Sequence, residues 1–397
     1  MKLLLIKIGK AWHTLRRDGL LRGGRRVLTA FLALFRRVRP GDILFITGGV
    51  GDSARYRTEH MAEELTEKGF SCSTTVQDNP FLATYADTFS VFVFHRVLYT
   101  PSVAKLIEKI KTQKKEIIFE TDDLVYDASF LQHMDYFQKM NAFEKKLYEN
   151  GVGGEILADP YVRVCTTSTT FLAEKLCEKR KEVFVVRNKV SKEDVKTAEE
   201  ILSIPRGASD VVKIAYLSGT PSHNKDFATI TDVLLAILEK YEKVQLVLAG
   251  PLDTEDNLNR FENRIERVPF LPRREYFSTV AEMDINLAPL ETGNPFCESK
   301  SELKWFEAGL VAVPTVASAT GTFKEAISDG VDGYTAETTE EWITKLSLLI
   351  EDPPLRERIG IQARKKVLDK YTTEHADNRE YYEYLRSKIS KGNNVTK

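Results

Sequence analysis

The chain has no run of about eighteen apolar residues, so nothing in its 397 residues reads as a bilayer-crossing helix. The nearest candidate, Val27–Phe35, is far too short and is flanked by Arg25, Arg26, Arg36 and Arg37. A secretory signal carries its basic residues before the apolar run and a small-residue cleavage site after it, so export is not expected and the chain is read as cytoplasmic. Cysteine is also scarce. Cys72, Cys165, Cys177 and Cys297 form no C-x-x-C pair, and the six histidines are scattered. That spacing suggests neither a zinc site nor a disulfide framework, but free thiols in a reducing compartment. Internal repeats and low-complexity tracts are absent.

With 42% hydrophobic and 29% charged residues the chain is globular, and its length suits two domains. The net charge of −1 conceals an asymmetry: residues 1–40 hold eleven Lys and Arg against one acid, Asp18. Within them Leu20, Leu21, Val27, Leu28, Phe31, Leu34 and Phe35 recur at three-to-four spacing, which predicts a basic amphipathic helix interrupted near Gly23-Gly24. Such a helix can lie in the interface of an anionic membrane. The protein is therefore expected at the inner face of the cell membrane, attached through residues 1–40. A helix packed on its own protein is the plainer reading.

After Pro40-Gly41 the pattern alternates between strands and helices. Strands are expected over 43–47, 71–76, 91–94, 116–119, 162–166 and 183–186, with helices over 55–68, 102–112 and 129–149. Residues 189–210 are charged and poor in apolar residues, and read as a connection that is part helix. A second series follows, with strands over 213–217, 244–249, 267–270, 285–288 and 313–317. Its helices are expected over 227–241, 273–283, 301–308, 340–350 and 355–371, before a charged helix over 374–388. The fold class is α/β, two Rossmann-like domains of mainly parallel sheet. The boundaries expected are 1–40 for the basic helix, 41–190 for a first Rossmann-like domain, 191–210 for a linker and 211–372 for a second. Residues 373–397 would form a helix and tail.

Ligands of open α/β sheets bind beyond the carboxyl ends of the strands. The first such turn holds Gly48, Gly49 and Gly51, with Ala54 completing a G-x-G-x-x-A pattern and Asp78 after the next strand. Those glycines permit close backbone approach to an anion, which keeps a nicotinamide-dependent oxidoreductase as an alternative. The turn at 217–227 offers Ser218, Gly219 and Thr220 as donors and Lys225 as a point charge for a diphosphate; a plain loop capped by Asn224 or Asp226 is the other reading. The densest cluster is 294–309. There Glu298, Lys300, Lys304 and Glu307 fall near one helix end, and Ser299, Leu303 and Glu307 share a face. A carboxylate can accept both ribose hydroxyls while lysines neutralise phosphate.

These motifs, over roughly residues 42–385, resemble the retaining GT-B glycosyltransferases of family four. The resemblance is carried by the Ser218–Lys225 turn, the Val268-Pro269-Phe270-Leu271 segment and Glu307-Ala308 ahead of Val313–Ser318. It implies two lobes facing across a cleft, 41–190 on the acceptor side and 211–372 on the donor side with 373–397 returning to the first lobe, and transfer of a sugar, with retention, from a nucleoside-diphosphate sugar, which is a substrate rather than a cofactor. It also implies no metal and no nucleic-acid partner. The acceptor it suggests is a carbohydrate or lipid-linked hydroxyl, as in assembly of surface polysaccharide or glycolipid. Pro269 and Phe270 would lie beside the nucleobase, and Glu307 would hold the ribose. The family pairs two glutamates eight positions apart, whereas position 299 here is Ser. Either Glu298 takes the missing role or the Lys-Ser-Glu-Leu-Lys pattern replaces it. By strand position His95 resembles the family's active-site histidine, with Asp122-Asp123 after the next strand; a locally satisfied histidine and a capping aspartate are the plainer readings. A non-catalytic scaffold of the same fold is the remaining alternative.

Overall fold

Ile43–Thr47 is wholly buried, as expected of a parallel strand covered on both faces, and it forms β1. The computed structural model describes residues 23–392 except 26, 135–136, 138–139, 141–144, 147, 208 and 220–222, together with Gly9 and Gly19, and only the backbone of 390–392. These divide into two units.

The first unit draws on residues 1–132, 139–189 and 376–397. After β1 come a π-helical turn, Arg55–His60, and helix α1 (Met61–Glu67). Next are β2 (Cys72–Val76), β3 (Val91–His95), α2 (Pro101–Thr112) and β4 (Glu116–Thr121). The unit continues with α3 (Gly154–Ala158), β5 (Val164–Thr167), α4 (Thr170–Glu178) and β6 (Glu182–Val185). Helix α2 begins where Thr100 accepts from the Val103 amide at 3.3 Å and Pro101 occupies the first turn, where its missing N–H is harmless. The sheet is parallel in the order β2-β1-β3-β4-β5-β6, which places its reversal of strand order between β1 and β3. One face is covered by Met61, Leu65 and Phe70 together with Tyr381, Tyr382 and Leu385 of the last helix, Arg379–Gly392.

The second unit draws on 133–138 and 190–375. Its elements are α5 (Lys192–Leu202), β7 (Val212–Leu217), α6 (Asn224–Ala228), α7 (Thr231–Lys240), β8 (Val244–Ala249), β9 (Ile265–Val268), α8 (Arg273–Ala281) and β10 (Ile285–Ala288). They continue with α9 (Pro295–Glu298), α10 (Leu303–Leu310), β11 (Thr315–Ser318), α11 (Gly321–Ala326), β12 (Tyr334–Ala336), α12 (Thr339–Glu351) and α13 (Pro353–Lys370); the last helix of the first unit, Arg379–Gly392, is α14. The order β12-β11-β10-β7-β8-β9 puts the reversal between β7 and β10. Gly250, at φ +85°, must be glycine: a Cβ there would lie 1.9 Å from the Ser218 carbonyl oxygen.

Several expectations differ from the structure. The helical part expected within 191–210 is α5, started by the reciprocal capping box of Ser191 and Asp194, and it groups with the second unit. The helix expected over 129–149 begins as a 3-10 turn, Ala128–His133; beyond it Phe137, Lys145, Lys146 and Tyr148 are helical, and much of the rest lies outside the described residues. Strand β9 ends at Val268, because Pro269 has no amide to extend the ladder. Near the start, Gly23 and Gly24 are helical rather than a break, and helix also covers 27–34; Leu20 and Leu21 lie outside the described residues. No described helix is long and apolar enough to cross a membrane.

Candidate functional site

In the second unit Lys304 and the Ser218-Gly219 turn meet at the carboxyl edge of the sheet, beside the reversal between β7 and β10. Helix α10 brings Lys304 to the end of β7, where its ammonium donates to the Leu217 carbonyl and lies 4.8 Å above the Tyr216 ring. Burial lowers the Lys304 pKa to about 8, with Glu307 and Asp226 opposing the shift and Lys300 adding to it. Ser218 and Gly219 follow directly after Leu217, and a Cβ on Gly219 would meet open space. Thr220 lies outside the described residues. Lys225 is exposed on α6.

Beneath this turn is a buried polar cluster that the sequence reading considered only as a cap. Asp226 accepts from His223 Nδ1 at 2.9 Å, from the Cys297 thiol at 3.1 Å and from the Glu291 amide at 3.3 Å. Burial would raise the Asp226 carboxyl, but His223, Cys297 and Lys300 take it below its usual range. Burial lowers the His223 pKa, and Lys304 and Lys300 add to the effect, so its imidazole stays neutral and donates to Asp226. Burial and Asp226 push the Cys297 thiol upward, which keeps it protonated.

Glu307 is 3% exposed. Its carboxylate accepts from Arg273 and, at 2.9 Å, from the Tyr276 hydroxyl, both on α8. Arg273 also grips Asp194 of α5 through two bonds of 3.0 Å. Helix α8 starts just after Pro269, which is exposed, and Phe270, which is half-buried, so the proposed base-side residues lead directly into the elements that fix Glu307. Glu298 holds two loops, accepting from the Gly293 amide at 3.3 Å and the Gly321 amide at 3.4 Å. Ser299 is fully buried and donates to the Phe296 carbonyl at 2.8 Å, so its hydroxyl is directed into the fold. Arg273, Tyr276 and Asp194 were missed in the sequence: each lies on a different stretch of chain from Glu307, with no local spacing to link them.

In the first unit the reversal between β1 and β3 holds a second network. His95, 1% exposed, meets Thr47 at 3.1 Å through Nδ1 and Ser53 at 3.1 Å through Nε2. Ser53 donates to Asp122 at 2.8 Å, and Arg96 Nε donates to the same carboxylate at 2.6 Å. Although burial opposes it, Arg96 and His95 hold the Asp122 carboxyl well below its usual range. Asp123 caps the turn Leu124–Tyr126, accepting from the Val125 amide at 2.7 Å, and its other oxygen pairs with Arg96 at 2.7 Å. Asp122, rather than Asp123, is therefore the carboxylate beside His95. The glycine turn serves this network: a Cβ on Gly48 would lie 1.9 Å from the Arg96 carbonyl oxygen, and Arg96 itself sits at φ +48°. Gly49 faces open space and Gly51 sits at φ +143°. The strand order here is not the dinucleotide order, in which the third strand flanks the second, and Asp52 places a negative charge at the helix start. Both features weigh against Gly49, Gly51, Ala54 and Asp78 as a nicotinamide site. Deeper in the unit, the fully buried Arg57 pairs with Glu120 through bonds of 2.7 and 3.0 Å and also donates to the Val186 carbonyl at 2.6 Å. Among the described residues no group of three His, Cys, Asp or Glu is placed to hold a metal ion.

Residues 232–378 match a family of glycosyl transferase-like domains. No curated protein sequence matches. A glycosyltransferase from Rickettsia africae is similar in structure, with a TM-score of 0.58 at 14% identity over 88% of this chain and 99% of that one. HepE of Anabaena, solved in complex with UDP and glucose, gives 0.56 at 12% identity over 87% of this chain and 100% of its own. Sucrose-phosphate synthase of Thermosynechococcus elongatus gives 0.55 at 11% identity over 90% and 100%. The fold is α/β of the GT-B class, with two Rossmann-like domains.

Proposed function

We propose that the protein is a glycosyltransferase that takes a sugar from a nucleoside diphosphate and delivers it, with retention, to an acceptor hydroxyl. The observation that carries this reading is the convergence of Lys300, Lys304 and Glu307 on the β7–β10 reversal, within the span that matches glycosyl transferase-like domains. The bond from the anomeric carbon to the diphosphate breaks, a bond to the acceptor oxygen forms, and the acceptor proton passes to the departing diphosphate on the same face. Negative charge grows on the leaving group. The ammonium groups of Lys304, Lys300 and Lys225, with the amides of the Ser218-Gly219 turn, would stabilise it without a metal. Glu307 would take the ribose hydroxyls and Phe270 the base. His95, held by Thr47, Ser53 and Asp122, would serve the acceptor. A polysaccharide or glycolipid acceptor and attachment to the inner membrane face complete the proposal.

A thermal-shift panel of UDP-, GDP-, ADP- and dTDP-sugars tests it, since a ligand that binds only the folded state raises the melting temperature. HepE's UDP makes uridine nucleotides the first choice. Stabilisation by one class, together with transfer or donor hydrolysis lost in Lys225→Ala and Glu307→Ala, is expected. Stabilisation by NADH alone would overturn it, and donor binding without any turnover would leave a scaffold.

A further inference from the structure

The helix over 27–34 and its final turn present Leu28, Phe31, Leu32 and Phe35 to solvent, each between 56% and 59% exposed. Their positions fall on one helical face, while Val27, Ala30 and Leu34 are half-buried on another. The Phe31 and Phe35 rings meet edge to face at 5.5 Å, so the face is a joined patch. Exposed Arg25, Arg36, Arg37 and Arg39 stand at its two ends. Arg36 is partly committed, pairing with Glu59 at 3.2 Å. Its carbonyl receives the Asn79 amide at 3.4 Å, and two residues beyond Asn79 is the exposed Phe81.

We propose that this face is a bilayer-contact surface, with Leu28, Phe31, Leu32 and Phe35 entering the acyl boundary of an anionic leaflet while the arginines meet headgroup phosphates. The inference rests on the membrane part of the function proposed above and is independent of its transfer chemistry. Charge fits this occupant: residues 1–40 carry eleven basic groups and one acid, which an anionic leaflet complements. Size agrees, because four side chains on two turns fall well short of the about 800 Å² per partner of a stable protein interface. Interfacial helices need no complementary shape, and a small apolar face joined to basic residues supplies the two signals that reversible attachment requires.

The test is co-sedimentation of the full chain with vesicles of phosphatidylcholine alone or mixed with phosphatidylglycerol. Binding to the mixed vesicles, weakened by salt, is expected, and F31S/F35S should reduce it about tenfold or more. Ile361→Ser, which removes an exposed apolar residue of the second unit, should leave it unchanged. A Phe31→Trp variant gives a gain of signal that does not depend on a damaged fold: its emission should shift to the blue on mixed vesicles and be quenched by brominated lipid. Equal binding to neutral vesicles, unchanged sedimentation of F31S/F35S, or a dimer that those substitutions dissociate would overturn the proposal. Failure of the nucleotide-sugar panel alongside intact vesicle binding would sink the transfer reading and leave this one standing.

Discussion

Glu307→Gln and Arg273→Ala should differ sharply, although they remove the two ends of one ion pair. Gln keeps the shape of Glu307 but loses its charge. Arg273 then remains held by Asp194 through two 3.0 Å bonds, so its guanidinium is not orphaned. The loss should resemble one charge-assisted hydrogen bond, about 1.5–3 kcal/mol. Arg273→Ala instead strips the shared cation from two carboxylates that are 3% and 5% exposed. An unpaired buried charge costs about 3–5 kcal/mol, so this variant should be the more damaged by about 2 kcal/mol. Urea unfolding reads the difference, following the transition of the second unit separately because two units need not unfold together. Donor affinity reads the other half of the argument. If Glu307 accepts the ribose hydroxyls, the Gln variant should bind the nucleotide sugar about 10- to 100-fold more weakly, the equivalent of the same 1.5–3 kcal/mol. Equal damage from the two substitutions would refute the relay from Asp194 through Arg273, and undiminished donor affinity in Glu307→Gln would refute the ribose role.

Three further outcomes are expected. Lys304 has its pKa lowered to about 8, so between that value and its ordinary 10.5 the unfolded chain binds more protons than the folded one. Stability without ligand should therefore rise with pH through that window; Lys304→Met should flatten the rise, and calorimetry near pH 8 should show proton uptake when a diphosphate binds. Asp122 is shifted the other way: its contribution is complete above the ordinary carboxylate range and disappears as pH falls below it, so Asp122→Asn should remove that part of the acid sensitivity and slow transfer more than about tenfold with donor affinity intact. Gly48→Ala should lower the melting temperature or abolish soluble protein, because its Cβ meets a backbone carbonyl, whereas Gly49→Ala should be silent in thermal melts; loss of NADH binding in the latter would revive the nicotinamide reading.

Much of the strand framework was legible because parallel strands buried on both faces are largely apolar runs: Ile43–Thr47, Val244–Ala249 and Ile285–Ala288 have the boundaries their sequence implies. Tyr334–Ala336 is too short to show a period, and Gly154–Ala158 has too few turns. At the site, glutamate and lysine spacing pointed to Glu307 and Lys304 because both lie on one helix. The groups that orient them come from other elements, strand β7 for Lys304 and helix α8 for Glu307, and the packing that unites Asp194, Arg273 and Glu307 leaves no trace in local spacing. The His95-Arg96 and Asp122-Asp123 pairs were visible as strand-end residues. Which aspartate faces the imidazole depends on side-chain direction: Asp123 turns away to cap Leu124–Tyr126.

Tyr381, Tyr382 and Leu385 complete the apolar covering of the first sheet, yet they are translated after all of the second unit. On the ribosome, the earlier lobe must wait with one flank of its β-layer bare until the second unit has been made. Its final consolidation is thus a late event of synthesis, and a chain cut short near residue 375 should lose the lobe made first while sparing the one made last.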